Sequence, residues 1–110
     1  MKKDPVLKII LKVLDEKKAV DVDTIDVHDL TPLAETYILA TADNIRKLNT
    51  IKESIVEELE KAKAPVHHVE GREDCGWVLI DAHHIIVHVF SPEQRDRIDL
   101  GGLIKKRLLK

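Results

Sequence analysis

The hydrophobic positions near the start of the chain predict an amphipathic helix over residues 4–18. Apolar side chains recur every three or four residues, at Val6, Leu7, Ile10, Leu11 and Leu14. This spacing places them along one side of a helix and leaves the lysines between them for solvent. Asp4 is the expected N-cap, and Pro5 fits the first turn because its missing N–H is not needed there.

A longer helical pattern occupies the middle of the chain. Its apolar residues recur at the same spacing: Ile45, Leu48, Ile51, Ile55, Leu59 and Ala62. The period predicts a helix that ends at Lys63, shortly before Pro65. Thr41 or Asp43 is the expected N-cap, because each carries a side-chain oxygen that can accept a hydrogen bond from the first turn.

Shorter segments rich in β-forming residues predict five strands. They cover residues 24–28, 35–42, 66–70, 77–81 and 85–90. The tight Ala82-His83 link between the last two strands predicts a hairpin. Ser91 and Pro92 then fit the N-cap and first turn of a third helix, and a final helical segment is expected over residues 99–109.

The order αββαβββα predicts an α/β (α+β) fold with a mixed five-stranded sheet and flanking helices. A length of 110 residues suits one domain over residues 1–110. A helical crossover between the second and third strands favours a sheet covered mainly on one face, so that the other face or an edge stays uncovered. Open sheet edges leave a homodimer as an alternative to a monomer.

Composition and charge narrow the class of protein. Apolar residues make up 44% and charged residues 35% of the chain, and no apolar run approaches the roughly 18 residues that a membrane span needs. Cys75 is the only cysteine, which excludes an intrachain disulfide and favours a reducing compartment such as the cytoplasm. The net charge of −2 predicts little direct nucleic-acid binding and suits a basic protein partner.

An acidic cluster around the first strand offers one candidate for catalysis, because carboxylates two residues apart on a strand can hold Mg²⁺. The cluster comprises Asp21, Asp23, Asp26 and Asp29. Nucleotidyl transfer also needs a glycine-serine turn to hold the triphosphate, and none precedes the cluster. The favoured interpretation is a solvated strand face, and a divergent Mg-dependent nucleotidyltransferase-like enzyme is the alternative.

Histidines are the second candidate, because five of the six lie in the second half of the chain. His67 and His68 point to opposite faces of a strand, so at most one of them can join a given metal site. Convergence of His68, His88 and Glu70 would create such a site. Local hydrogen bonding explains the imidazoles more simply, and no metal or cofactor is expected.

Trp77 is the only tryptophan in a chain with 3% aromatic residues. Tryptophan is enriched at interface hot spots, yet it also serves as a core residue. Strand alternation places Trp77 on the same face as Leu79 and Asp81. The pattern therefore leaves two roles open, an interface anchor and a core side chain.

The second half also carries a set of motifs in fixed order. They are His68-Val69-Glu70-Gly71, Gly76-Trp77-Val78-Leu79-Ile80-Asp81, Ile86-Val87-His88-Val89-Phe90 and Pro92-Glu93. In order and spacing this set resembles the ribosomal silencing factor (Iojap-like) family. The first half is similar more loosely, at Lys17-Lys18-Ala19, residues 25–30, residues 37–41 and Arg46.

The resemblance implies a nucleotidyltransferase-like topology without the catalytic motif, and a protein that is not an enzyme. It implies binding to the large ribosomal subunit through ribosomal protein fourteen of that subunit. Such binding would sterically block association with the small subunit and repress translation. The candidate partner-binding residues all lie in these motifs, and they are Trp77, Glu70, His68, Asp81, His88, Phe90, Pro92 and Glu93.

The resemblance weakens at the end of the chain. Relatives tend to have aromatic residues after the Pro-Glu segment and a Leu-Glu-x-Leu-Trp ending. This chain instead has Arg95-Asp96-Arg97-Ile98, followed by Leu100-Gly101-Gly102-Leu103-Ile104. Contacts that relatives make there are therefore not carried over.

Overall fold

A computed structural model describes residues 5–27, 34–72 and 76–97. Asp4, Asp29, Cys75 and the segment 99–109 lie outside the described residues. The elements are α1 (Pro5–Glu16), β1 (Val20–Asp26), β2 (Thr36–Thr41), α2 (Ile45–Lys61), β3 (His68–Arg72), β4 (Trp77–Ala82), β5 (Ile85–Phe90) and α3 (Pro92–Arg97). Among these described helices, none is long and apolar enough to cross a membrane.

The five strands form one mixed sheet in the order β1-β2-β5-β4-β3. Neighbouring strands run antiparallel except β2 and β5, which pair in parallel. A parallel pair requires a long connection, and here α2, β3 and β4 all lie between the two partners. The predicted α+β fold, the mixed five-stranded sheet and the β4–β5 hairpin are thus confirmed.

The N-cap of α2 differs from the prediction. Asn44 caps the helix, and its side-chain oxygen Oδ1 accepts a hydrogen bond from the backbone N–H of Lys47 at 2.8 Å. Asp43 instead pairs with the Lys47 ammonium at 3.2 Å. Thr41 cannot cap the helix because it is still part of β2. The helix therefore begins one residue later than a cap at Asp43 would place it, and the strand ends one residue before its predicted end.

Strand β1 begins four residues earlier than predicted. The pairing with β2 shifts between Val20 and Asp23, and Asp21 has a φ of 49° in this irregular stretch. A bulge of this kind changes which residues share a face, so simple alternation does not extend through it. At the far edge, β3 covers residues 68–72 and is displaced by two residues from the predicted segment.

Both long helices pack on the same face of the sheet. Buried residues of α1, such as Ile10 and Leu14, meet buried residues of α2, such as Leu48 and Ile55, above the central strands. Burying large aliphatic side chains contributes about 1.5–3 kcal/mol each. This core confirms that the helices cover one face of the sheet.

The face opposite α1 and α2, called the second face below, has its own smaller cluster. Its buried members are Ile25, Val27, Ala34, Leu39 and Phe90. The centre of this face is covered, because Leu39 and Phe90 are both 0% exposed. Side chains around this cluster, including Trp77 and Tyr37, are only partly buried.

Candidate partner-binding surface

Strand pairing gathers most of the predicted site residues on the second face. Directly opposed residues of neighbouring strands share a face, and the register pairs Trp77 with Phe90 and Leu79 with His88. The next pair of strands adds His68 opposite Asp81 and Glu70 opposite Leu79. The second face thus carries six of the predicted residues: His68, Glu70, Trp77, Asp81, His88 and Phe90.

The two remaining predicted residues, Pro92 and Glu93, form the exposed first turn of α3. This helix follows β5 directly, and Ser91 Oγ caps it by accepting a hydrogen bond from the backbone N–H of Gln94 at 3.3 Å. The backbone N–H of Ser91 donates to the carbonyl of Gly76 at 2.8 Å. The start of α3 is therefore held beside the residue that precedes Trp77.

Two glycines fix the backbone around Trp77. Gly71 has a φ of 93°, and a Cβ atom there would overlap the carbonyl oxygen of Trp77. Gly76 has a φ of 76°, and a Cβ atom there would meet Ser91 Oγ. Other residues rarely adopt these conformations, so both positions require glycine. The motif glycines thus let β3 and α3 approach the beginning of β4 closely.

The Trp77 side chain lies across the diagonal between β4 and β5 and is partly exposed. Its indole packs against the Phe90 ring, with centroids 5.3 Å apart and planes tilted by 31°. Its Nε1–H donates a hydrogen bond to His88 Nδ1 at 3.3 Å. Trp77 is therefore neither a fully buried core residue nor a freely moving surface side chain.

His88 lies beneath this surface and is 5% exposed. Tyr37 is its neighbour on the β2 side, with ring centroids 5.1 Å apart. Burial lowers the pKa of His88 from 6.5 to about 4, so the imidazole is neutral at physiological pH. Because Nδ1 accepts from Trp77, the proton of the neutral ring is on Nε2.

The Nε2–H of His88 is buried and has no hydrogen-bond partner among the described residues. Leaving a buried donor unpaired costs about 1–3 kcal/mol. An apolar side chain of similar size would avoid this cost. The imidazole is therefore not the side chain that packing alone would favour at this position.

Phe90 supports the surface from below and is fully buried. The guanidinium of Arg95 lies over its ring, with Cζ 5.8 Å from the centroid, and also donates to Thr41 Oγ1 at 3.3 Å. The sequence did not single out Tyr37, Thr41 or Arg95 as part of this site. The alternation of residues along β2 could have placed Tyr37 and Thr41 on this face. No local sequence pattern indicates that Arg95 contacts Thr41, which lies 54 residues earlier in the chain.

Acidic groups lie along the side of the second face formed by β3 and β4. Glu70 is exposed and lies 3.0 Å from His68 Nε2. Asp81 is partly exposed and accepts a hydrogen bond from the backbone N–H of His83 at 3.0 Å. Glu93 adds a third carboxylate at the start of α3. These carboxylates place negative charge on the β3–β4 side of the second face and at the start of α3.

The structure does not bring together the residues of the two metal sites considered from the sequence, as far as those residues are described. His68 and Glu70 meet, but His88 is two strands away with Leu79 between them, and it is bonded to Trp77. Asp23 and Asp26 lie on opposite faces of β1, and Asp21 lies in the bulge. Within residues 5–27, 34–72 and 76–97, no group of three potential ligands has the geometry of a metal site.

Comparison with known proteins agrees with the motif set. The family described as "Ribosomal silencing factor during starvation" matches residues 1–108. A ribosomal silencing factor of Chromobacterium violaceum is 33% identical over 96 residues, which cover 87% of this chain and 79% of the relative. One of Bacillus subtilis is 25% identical over 103 residues, which cover 94% of this chain and 87% of the relative.

The fold agrees as well. A crystal structure of a protein from Chromobacterium violaceum superimposes with a TM-score of 0.88 at 31% identity, covering 96% of this chain and 88% of that chain. Family match, sequence identity and fold thus extend over nearly the whole length. The chain belongs to the ribosomal silencing factor family.

Proposed function

We propose that this protein is a cytoplasmic translational repressor that is not an enzyme. It binds the large ribosomal subunit through ribosomal protein fourteen of that subunit and sterically prevents association with the small subunit. Family membership supports the ribosomal role. The second face, on which Trp77 is partly exposed at the start of β4, is the proposed contact surface.

The single observation that carries the proposal is the way Trp77 is presented. Interface hot spots are enriched in tryptophan, and a side chain that is already held in its bound conformation loses less freedom on binding. Phe90 supports the indole from below, and His88 fixes its N–H. The part of the ring left exposed can therefore enter a partner pocket with little loss of conformational freedom.

The charge distribution supports a basic protein partner. Glu70 and Asp81 lie on the same face of the sheet as the indole, Glu93 lies at the start of α3, and the whole chain is slightly acidic. Complementary charge of this kind sets orientation and association rate, while the buried aromatic contact supplies much of the affinity. The fully buried Phe90 acts through the surface above it and does not itself contact the partner.

Binding of the purified protein to isolated large subunits tests the proposal. Wild-type protein should sediment with large subunits, and Trp77→Ala should weaken binding by about 2–4 kcal/mol, roughly thirtyfold to thousandfold. Val56→Ala is the matched control, because it truncates a partly exposed aliphatic side chain on α2, which packs on the other face of the sheet. Thermal unfolding of each variant separates lost binding from lost folding.

The same experiment separates an anchor from a core residue. A core role for Trp77 predicts a loss of about 3–5 kcal/mol of folding stability, with binding reduced only by unfolding. A folded Trp77→Ala variant that binds like the wild type would contradict the proposed contact surface.

A further inference from the structure

We infer that His88 is a positioning residue of the partner-binding surface, whose Nδ1 lone pair holds the Trp77 indole in its binding orientation. This inference rests on the proposed function for its consequence in binding. The orientation of the indole can be tested on the protein alone.

The geometry gives His88 this role. In the strand register Trp77 is opposite Phe90 and His88 is opposite Leu79, so His88 is the diagonal neighbour of Trp77 on the same face. A diagonal neighbour can reach a long aromatic side chain but is not forced to contact it. Here the contact is a hydrogen bond from Nε1–H to Nδ1 at 3.3 Å, which sets the direction in which the indole points.

The surroundings of His88 keep the acceptor in place. Tyr37 on one side and Phe90 on the other confine the imidazole, with ring centroids 5.1 and 6.1 Å away. Burial disfavours the charged ring, so Nδ1 retains its lone pair. Trp77 therefore donates to an imidazole whose position and protonation state are both fixed.

The unpaired Nε2–H argues that packing does not explain this imidazole. Buried polar groups are normally paired, and this one lacks a partner among the described residues. An aliphatic side chain would fill the site without an unsatisfied donor. What the imidazole supplies at this position, and an aliphatic side chain does not, is a hydrogen-bond acceptor for Trp77.

The hydrogen bond to His88 also determines which groups of the indole remain for a partner to contact. Its N–H is already engaged by His88, so its exposed part offers hydrocarbon and the ring face. With Glu70 and Asp81 on the same face, the partner group that fits is a basic side chain with an apolar stem, such as arginine or lysine.

Three substitutions separate the acceptor from the bulk of the ring. His88→Leu removes the acceptor and keeps an apolar side chain. His88→Asn places an amide oxygen where Nδ1 lies, whereas His88→Gln reaches toward the position of Nε2 instead. Positioning by Nδ1 predicts that Asn restores the wild-type behaviour and that Gln resembles Leu, although both are amides.

The chain contains one tryptophan, so the indole N–H gives a single NMR signal. Its hydrogen exchange with water should be slow in the wild type and in His88→Asn. Exchange should be roughly threefold to tenfold faster in His88→Leu and His88→Gln, because the bond to Nδ1 is lost. Equal exchange rates in the wild type and all three variants would overturn the inference.

Binding to isolated large subunits supplies the second readout. His88→Leu and His88→Gln should bind roughly threefold to tenfold more weakly, because the indole must then be ordered on binding, and His88→Asn should bind like the wild type. The melting temperature of His88→Leu should not fall, because this variant removes a buried donor that has no partner in the described part of the chain. A purely structural role instead predicts that affinity and melting temperature fall together.

The two readouts keep the proposals apart. If wild-type protein does not bind large subunits, the proposed function fails, and the exchange rates still decide whether His88 holds the indole. If the wild type binds and His88→Leu frees the indole without weakening binding, the positioning role is overturned while the proposed function stands.

Discussion

Acidification should destabilise this protein through His88. Burial lowers the pKa of His88 in the folded state to about 4, while the unfolded chain has the ordinary value of 6.5. Between these values the unfolded state binds a proton that the folded state does not. Stability therefore falls as the pH drops through 6.5 and stops falling from this cause below about pH 4.

The size of the effect follows from the shift. At about 1.4 kcal/mol per pH unit, the change from 6.5 to about 4 corresponds to a maximum of about 3 kcal/mol. About 2 kcal/mol of this should be lost between pH 7.5 and pH 5. For a small domain with a total stability of about 5–15 kcal/mol, such a loss is readily measured.

Urea unfolding followed by circular dichroism at a series of pH values measures the effect. His88→Leu is the control, because it lacks the titrating ring and leaves every other ionisable group in place. The stability of the wild type minus that of the variant should fall by about 2 kcal/mol from pH 7.5 to pH 5. A difference that stays constant over this range would refute the argument that His88 is held neutral by burial.

Three further predictions concern the surface and the fold. Trp77→Phe should keep most of the affinity for large subunits, within roughly tenfold of the wild type, because the indole N–H is engaged by His88; losses as large as those of Trp77→Ala would contradict this. The double variant Glu70→Gln and Asp81→Asn should associate with large subunits roughly threefold to tenfold more slowly at low salt. The control variant Glu60→Gln and Asp15→Asn, on the helical side, should associate at the wild-type rate. Equal effects of the two variants in a kinetic binding assay would argue against local charge complementarity. Asn44→Ala should lower the free energy of urea unfolding by about 1 kcal/mol and Asp43→Ala by less, and the opposite order would mean that Asp43 is the cap.

The sequence predicted most of the fold because its periodic signals are strong. The aliphatic repeat of α2 and the short Ala82-His83 link each specify a local structure. The bulge in β1 was not predicted, although the sequence carries a signal for it. The valines at 20 and 22 occupy even positions, whereas Ile25 and Val27 occupy odd positions. A phase change of this kind within one strand indicates an inserted residue.

The site was only partly predictable. Alternation correctly placed Trp77, Leu79 and Asp81 together, because it depends only on position along one strand. The bond between Trp77 and His88 depends instead on the register between two strands, which a single sequence does not specify. Contacts of Arg95 depend on how α3 returns over β5, and no local pattern encodes that path.

The central claim is that this protein keeps the two ribosomal subunits apart, and a titration of subunit joining tests it most directly. Isolated large and small subunits are mixed with increasing protein, and the joined fraction is measured by light scattering or gradient sedimentation. The wild type should abolish joining once it saturates the large subunit, and Trp77→Ala should need roughly thirtyfold to thousandfold more protein to do so. Undiminished joining at saturating wild-type protein would contradict the account.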